Sequence, residues 1–192
     1  MQFARPTSGD ILINGISIND IETKSLRSRL SYVPQQNYFF TKPVGDNLKY
    51  ADVNATEEVM INALSKSHAL EFLESEPLKE EMISGGKNFS GGQRQRLAIA
   101  RALTRDADVY LFDDSFSALD YITDSKIRSS LNKNLDDSMS IIVAQRIATI
   151  RNADKILLLE DGEQEGFGTH EELMRDSDIY REIAISQGED EK

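Results

Sequence analysis

Cysteine is absent from the 192 residues. Disulfides and thiolate metal sites are therefore excluded, and nothing distinguishes a reducing from an oxidising compartment. Long apolar runs are absent too. None approaches the roughly 20 residues of a membrane span, and no secretory-leader pattern opens the chain, so a membrane contact would have to come through another segment or another chain. Basic residues are the scarcer charge: Lys and Arg total 22 against 33 Asp and Glu, a net charge of −11. That balance argues against a nucleic-acid partner, which requires a basic footprint. It leaves local phosphate binding open, because backbone N–H groups at a helix start can do that work. The two histidines, His68 and His170, have no partner spacing for metal binding or nucleophilic catalysis and are expected on helix surfaces. What remains is 39% apolar and 29% charged, the composition of a soluble globular domain long enough to bury a core.

The pattern along the chain alternates. Residues 1–5 read as the last turn of a helix stopped by Pro6. Ile11-Leu-Ile13 and Ile16-Ser-Ile18 flank Asn14-Gly15, a two-residue hairpin signal. A short helix is expected over 24–30 and a strand over 31–33. From Val44 to about Thr104 the periodicity becomes helical, with a helix start at Thr56. Apolar strands follow at 109–112, 140–144 and 155–159, with a further short strand at 164–167 and a helix over 123–135. Thr169-His-Glu-Glu172 fits a capping box, and a last helix covers 179–186. The reading is an α/β domain over residues 1–186 with a mostly parallel sheet, a helical subdomain inserted at 44–104, and a disordered polar tail at 187–192.

Two segments carry chemistry. Asn88-Phe-Ser-Gly-Gly-Gln-Arg-Gln-Arg-Leu97 places a capping serine and two glycines before a basic helix. Free N–H groups and the positive end of the helix dipole then face outward, which suits a phosphate; an ordinary capped helix with surface arginines is the alternative for Ser90-Gly91-Gly92 alone. Val109-Tyr-Leu-Phe-Asp-Asp114 is a buried-strand run ending in two carboxylates, where α/β proteins place ligand chemistry; an acidic turn capping the next helix is the plainer alternative. Ser117-Ala-Leu-Asp120 follows closely. Gln35, after Val33-Pro34, is placed to reach Mg²⁺-bound water, though a lone glutamine is usually a surface amide and Gln36 stands beside it.

Together these segments resemble the signature motif and Walker B strand of the nucleotide-binding domain of ABC transporters, most closely the exporter type. The match runs from Pro6-Thr-Ser-Gly9 through Thr169-His-Glu-Glu-Leu173. The resemblance implies a partial P-loop NTPase fold, ATP and Mg²⁺ as ligands, and a second ATPase subunit and the transmembrane domain of an exporter as partners. It implies a place at the cytoplasmic face of the membrane. It makes Gln35 the Q-loop glutamine, Ser90, Gly91, Gly92 and Gln93 the signature facing a nucleotide on the other subunit, Asp113 the Mg²⁺-binding Asp, and Asp120 the D-loop residue at the dimer interface.

Three departures from the family pattern stand out. No G-x-x-x-x-G-K-[ST] loop occurs in the chain; with the adenine-stacking aromatic, it would lie upstream of Met1, so a truncated product, a mis-assigned start or a fragment is expected. The catalytic-base position holds Asp114 in place of Glu, drawing the carboxylate back by about 1 Å, a misplacement that can cost about 10²-fold in rate. The switch position holds Gln145 in place of His; it hydrogen-bonds but cannot be protonated. With Asp114 and Gln145 at the catalytic positions, the chain resembles the degenerate subunit of a heterodimeric exporter, its signature altered only at Phe89. A catalytically silent regulatory module and a soluble ABC-type ATPase are the competing readings. The exporter-like run Tyr38-Phe-Phe-Thr-Lys-Pro-Val-Gly-Asp-Asn-Leu48 and the acidic balance weigh against the second.

Overall fold

Local side-chain chemistry sets most element boundaries in the computed structural model, which describes residues 4, 6–135 and 137–188. Asn14 and Gly15 both adopt positive φ (51° and 79°), the conformation a tight hairpin turn needs, and they join β1 (Leu12–Ile13) to β2 (Ile16–Ser17). After α1 (Thr23–Ser28), β3 (Leu30–Val33) enters the central sheet. Helices α2 (Val44–Leu48), α3 (Glu57–Lys66) and α4 (Gly91–Leu103), with a 3-10 turn at Ala69–Glu71, form the helical subdomain. Thr56 caps α3 by accepting from the Val59 N–H at 3.3 Å. The chain returns through β4 (Val109–Asp113), α5 (Tyr121–Asn134), β5 (Met139–Val143) and α6 (Ile147–Ile150). It closes with β6 (Ile156–Glu160), β7 (Glu163–Gly168), α7 (His170–Asp176) and α8 (Asp178–Ser186).

Strands β3, β4 and β5 pair in that order, all parallel, with Val33 level with Phe112 and Phe112 level with Ile142. Strands β6 and β7 form a separate antiparallel pair. The main core lies where the helical subdomain meets β3 and β4: Val33, Phe39, Leu64, Leu97, Ile99 and Phe112 are all fully enclosed. A second cluster, with Ile147, Ile156, Leu173, Tyr180 and Ala184 buried, joins α6, β6, α7 and α8. Between β5 and β6 a cavity of about 550 Å³ has walls that include Ile142, Val143, Ile156 and Ile183.

The expected hairpin, capping box and central strands all form. The expected helix at residues 1–5 lies outside the described residues apart from Ala4. The histidines depart from expectation. His170 is buried against the fully enclosed Tyr180, ring nitrogen to hydroxyl at 2.9 Å, because α8 folds back over α7. His68 adopts positive φ (58°) at the end of the α3 segment and pairs with Glu71 at 3.0 Å. Gln187, assigned by sequence to a disordered tail, instead ends α8 in a defined conformation.

Candidate active site

Three parallel strands deliver their carboxyl ends to one edge of the sheet, the place where open α/β folds bind ligands. Strand β3 continues through Pro34 to Gln35. Strand β4 ends at Asp113 and is followed by Asp114. Strand β5 runs out through Ala144 to Gln145, and Asp113 is level with Val143. The ends are tied together: buried Ser115 donates its hydroxyl to the Val33 carbonyl at 3.1 Å, and the Asp114 N–H donates to the Val143 carbonyl at 3.0 Å. Asp114 adopts φ +46°, a left-handed conformation that Asp tolerates better than most L-residues and that clusters at functional sites.

Side chains converge on this edge. Gln35 Nε2 lies 3.4 Å from Asp114 Oδ2, a long hydrogen bond across 79 residues of sequence. Tyr32, not anticipated from sequence, donates its hydroxyl to Asp113 Oδ2 at 2.9 Å. Burial raises the Tyr32 phenol pKa, and the neighbouring Asp113 carboxylate raises it further, so Tyr32 stays a donor at neutral pH. The sequence signal for it is weak: a tyrosine on an apolar strand reads as ordinary packing.

The glycine turn forms a second group. Ser90 caps α4 in a full capping box: its hydroxyl accepts from the Gln93 N–H at 3.2 Å, and Gln93 Oε1 accepts from the Ser90 N–H at 2.8 Å. The first intrahelical bond runs from the Arg94 N–H to the Ser90 carbonyl. The N–H groups of Gly91 and Gly92 therefore have no acceptor among the described residues, and they sit at the positive end of a 13-residue helix. A Cβ on Gly92 would approach the Ala118 carbonyl to 3.3 Å, so the turn rests directly on the segment leading to Asp120. Asp120 itself caps α5, accepting from the Thr123 N–H at 3.0 Å, and this bond lowers its carboxyl pKa. Phe89 fits because its buried ring meets Phe72 edge-on at 5.8 Å.

Among the described residues no hydrogen bond joins Ser90–Gln93 to Gln35, Asp113, Asp114 or Gln145, so the two groups are not linked directly. A sequence profile of the ABC transporter family matches residues 1–117. The chain belongs to the ABC transporter family. It is 44% identical over 94% of its length to an uncharacterized ABC transporter ATP-binding protein of Mycobacterium tuberculosis, of which it covers 32%. It is 36% identical over 93% of its length to the ATP-dependent lipid A-core flippase of Neisseria meningitidis serogroup A, covering 29%. Among solved structures, a bacterial Atm1-family ABC exporter with ATP bound superposes with a TM-score of 0.92 at 32% identity, over 97% of this chain and 33% of that one. The chain thus spans about a third of the relatives it matches. It is an ABC ATPase domain of the exporter type, with the P-loop NTPase α/β fold, and such domains bind ATP.

The residues of this ABC ATPase domain fit a nucleotide with Mg²⁺. Magnesium keeps several waters and takes one or two carboxylates plus substrate phosphates. Asp113 supplies a strand-end carboxylate with one oxygen engaged by Tyr32, and Gln35 beside it supplies an amide. No cluster of three His, Cys, Asp or Glu able to hold a metal exists among the described residues, so a dedicated protein-only metal cage is not formed there. The two unbonded glycine N–H groups fit phosphate oxygens.

Proposed function

We propose that this chain is the ATP-binding portion of an exporter, coupling ATP binding and hydrolysis to transmembrane transport from the cytoplasmic face of the membrane. No helix among the described residues is long and apolar enough to cross a membrane; in this reading the transport path would be supplied by a transmembrane domain to which this domain docks. The observation that supports the reading is the convergence of Gln35, Asp113, Asp114 and the Gln145 turn at the carboxyl ends of three parallel strands, together with the two unbonded glycine N–H groups of the Ser90–Gln93 turn.

Two such chains facing head to tail would complete each other. The Gly91 and Gly92 N–H groups, oriented by the Ser90/Gln93 capping box, would meet the γ-phosphate of ATP on a second ATPase subunit, with Asp120 beside them at the interface. Asp113 and Gln35 would hold Mg²⁺, which when bound neutralises developing phosphate charge. Asp114 would orient the attacking water and accept its proton, and Gln145 would hydrogen-bond the terminal phosphate without supplying a positive charge. Shortened base and neutral switch together support a slow own site paired with a competent partner site, as in a heterodimer.

The test uses the full-length protein assembled with its second subunit. Ser90→Arg fills the turn with a bulky side chain and should lower partner-site hydrolysis at least tenfold. Asp114→Glu with Gln145→His should raise hydrolysis at this chain's own site. Unchanged partner-site turnover in Ser90→Arg would defeat the shared-site reading. The 192 residues alone, which contain no G-x-x-x-x-G-K-[ST] loop, should bind ATP only weakly.

A further inference from the structure

The turn that carries Gln145 is held from a distant part of the chain. Arg146 is the N-terminal flanking residue of α6 and makes no side-chain cap of its own. The first amide of α6, the Ile147 N–H, instead donates to Gln187 Oε1 at 2.8 Å, 40 residues away. The same carboxamide donates through Nε2 to the Gln145 carbonyl at 2.9 Å. Gln187 thus grips the turn on both sides of Arg146, satisfying one N–H that a helix start leaves open and the carbonyl of the residue just before it. The amide does both at once, whereas a carboxylate accepts but cannot donate and an apolar side chain does neither.

The helix behind Gln187 is packed into the fold. It ends α8, which packs through fully buried Tyr180 and Ala184 onto Ile147 and Ile156, and its own N–H closes the helix on the Ile183 and Ala184 carbonyls. The grip extends forward as well. Arg146 donates to the carbonyls of Leu119 and Ser117 at 3.2 and 3.0 Å, the segment that leads to Asp120 and supports Gly92. No hydrogen bond to another described residue holds the Gln145 side chain, so its position is set by its backbone.

We propose that Gln187 is a positioning residue for hydrolysis: its carboxamide fixes the backbone from which Gln145 reaches the terminal phosphate. This rests on the assignment of Gln145 made above. A displacement near 1 Å at a catalytic group can cost about 10²-fold in rate, and a turn that loses two hydrogen bonds while keeping its packing will move by less than that.

The test is single-turnover ATP hydrolysis at this chain's own site, in the full-length protein with the partner subunit's site silenced. Gln187→Met keeps the side-chain length and removes both hydrogen bonds. It should slow hydrolysis roughly tenfold with ATP affinity changed less than twofold. Gln187→Glu keeps the acceptor for Ile147 and faces the Gln145 carbonyl with a second acceptor; it should slow hydrolysis as well. In a Gln145→Ala background, where no side chain remains to be positioned, Gln187→Met should have no further effect. Amide exchange at Ile147 should quicken in Gln187→Met while exchange in β4 stays unchanged, a readout independent of hydrolysis. An equal slowing by Gln187→Met in both backgrounds, or unchanged hydrolysis in the single variant, overturns the positioning role alone. If Gln145→Ala itself leaves hydrolysis unaltered, the Gln145 assignment falls and this proposal with it, whatever the exchange at Ile147 shows.

Discussion

The two flanks of β4 use similar residues and reach different ends. Toward the helical subdomain, Phe39, Leu64, Met82, Ile99 and Phe112 are excluded from solvent. Toward β5, the strand Met-Ser-Ile-Ile-Val is just as apolar, yet Met139, Ile141 and Val143 are 60%, 46% and 56% exposed, and Leu157 and Leu159 across the cavity on β6 are half-exposed as well. A parallel strand with a continuous apolar run is the kind a sheet buries on both faces; among the described residues β5 has a bonded neighbour on one side only. Among the described residues the packing is therefore denser on the α4 side, where that helix enters the main core. The strand ends that carry Asp114 and Gln145 hang on a few specific ties: Ser115 to Val33, Asp114 to Val143, and Gln187 to the turn after β5.

The widest gap between the flanks should be seen by truncating one core side chain on each. Phe112→Ala removes an enclosed ring packed against Tyr110 and Phe116 and should cost about 3–5 kcal/mol. Ile141→Ala, half in solvent already, should cost about 1 kcal/mol or less. Urea unfolding monitored by circular dichroism measures both; comparable losses would abolish the asymmetry.

A buried ion pair gives a smaller effect and bridges the flanks. Asp124 of α5 is almost wholly enclosed, accepts from Arg128 Nε at 2.8 Å, and accepts from the Thr149 hydroxyl of α6 at 3.2 Å. Arg128→Met keeps the bulk and strands the carboxylate, and should cost about 3 kcal/mol. Arg29→Met removes the partner of Asp108 from a pair that is 69% and 61% exposed and should cost under about 1 kcal/mol. Near-equal losses would mean that Asp124 gains a replacement donor or water when Arg128 is removed.

What was legible in the sequence was what short-range chemistry decides. Asn14-Gly15, the caps at Thr56 and Ser90, and the Thr169 capping box each involve groups within four residues of one another, and the apolar run before Asp113 announces its own strand. What was missed crosses the fold. Tyr32 meets Asp113 across 81 residues and Gln187 meets Gln145 across 42; no local pattern encodes either pairing. His170 has no partner spacing in the sequence and so reads as a helix-surface residue; only the return of α8 with Tyr180 buries it. Gln187 was set in a tail because the residues after it are polar and charged; one amide with the right reach made it part of the fold.

The smallest predicted difference separates the two capping boxes, one on each flank. Both close a helix by reciprocal side-chain and backbone bonds, but Gln93 cannot ionise and Glu172 can. Glu172 accepts from the Thr169 N–H at 2.7 Å and pairs with Lys155 at 3.3 Å; the backbone bond first, then the lysine, lowers its carboxyl pKa. A carboxylate held below its unfolded value favours the folded state at all pH above that unfolded value, about 4.3. The contribution disappears as pH falls through the lower folded value. The Thr169 amide proton shift should therefore titrate below about pH 4.3 while that of Ser90 stays flat, and Glu172→Gln should remove the Thr169 step and flatten this part of the acid decline in melting temperature. A Thr169 amide indifferent to acid would show that the hydroxyl of Thr169, rather than the carboxylate of Glu172, carries the box on α7.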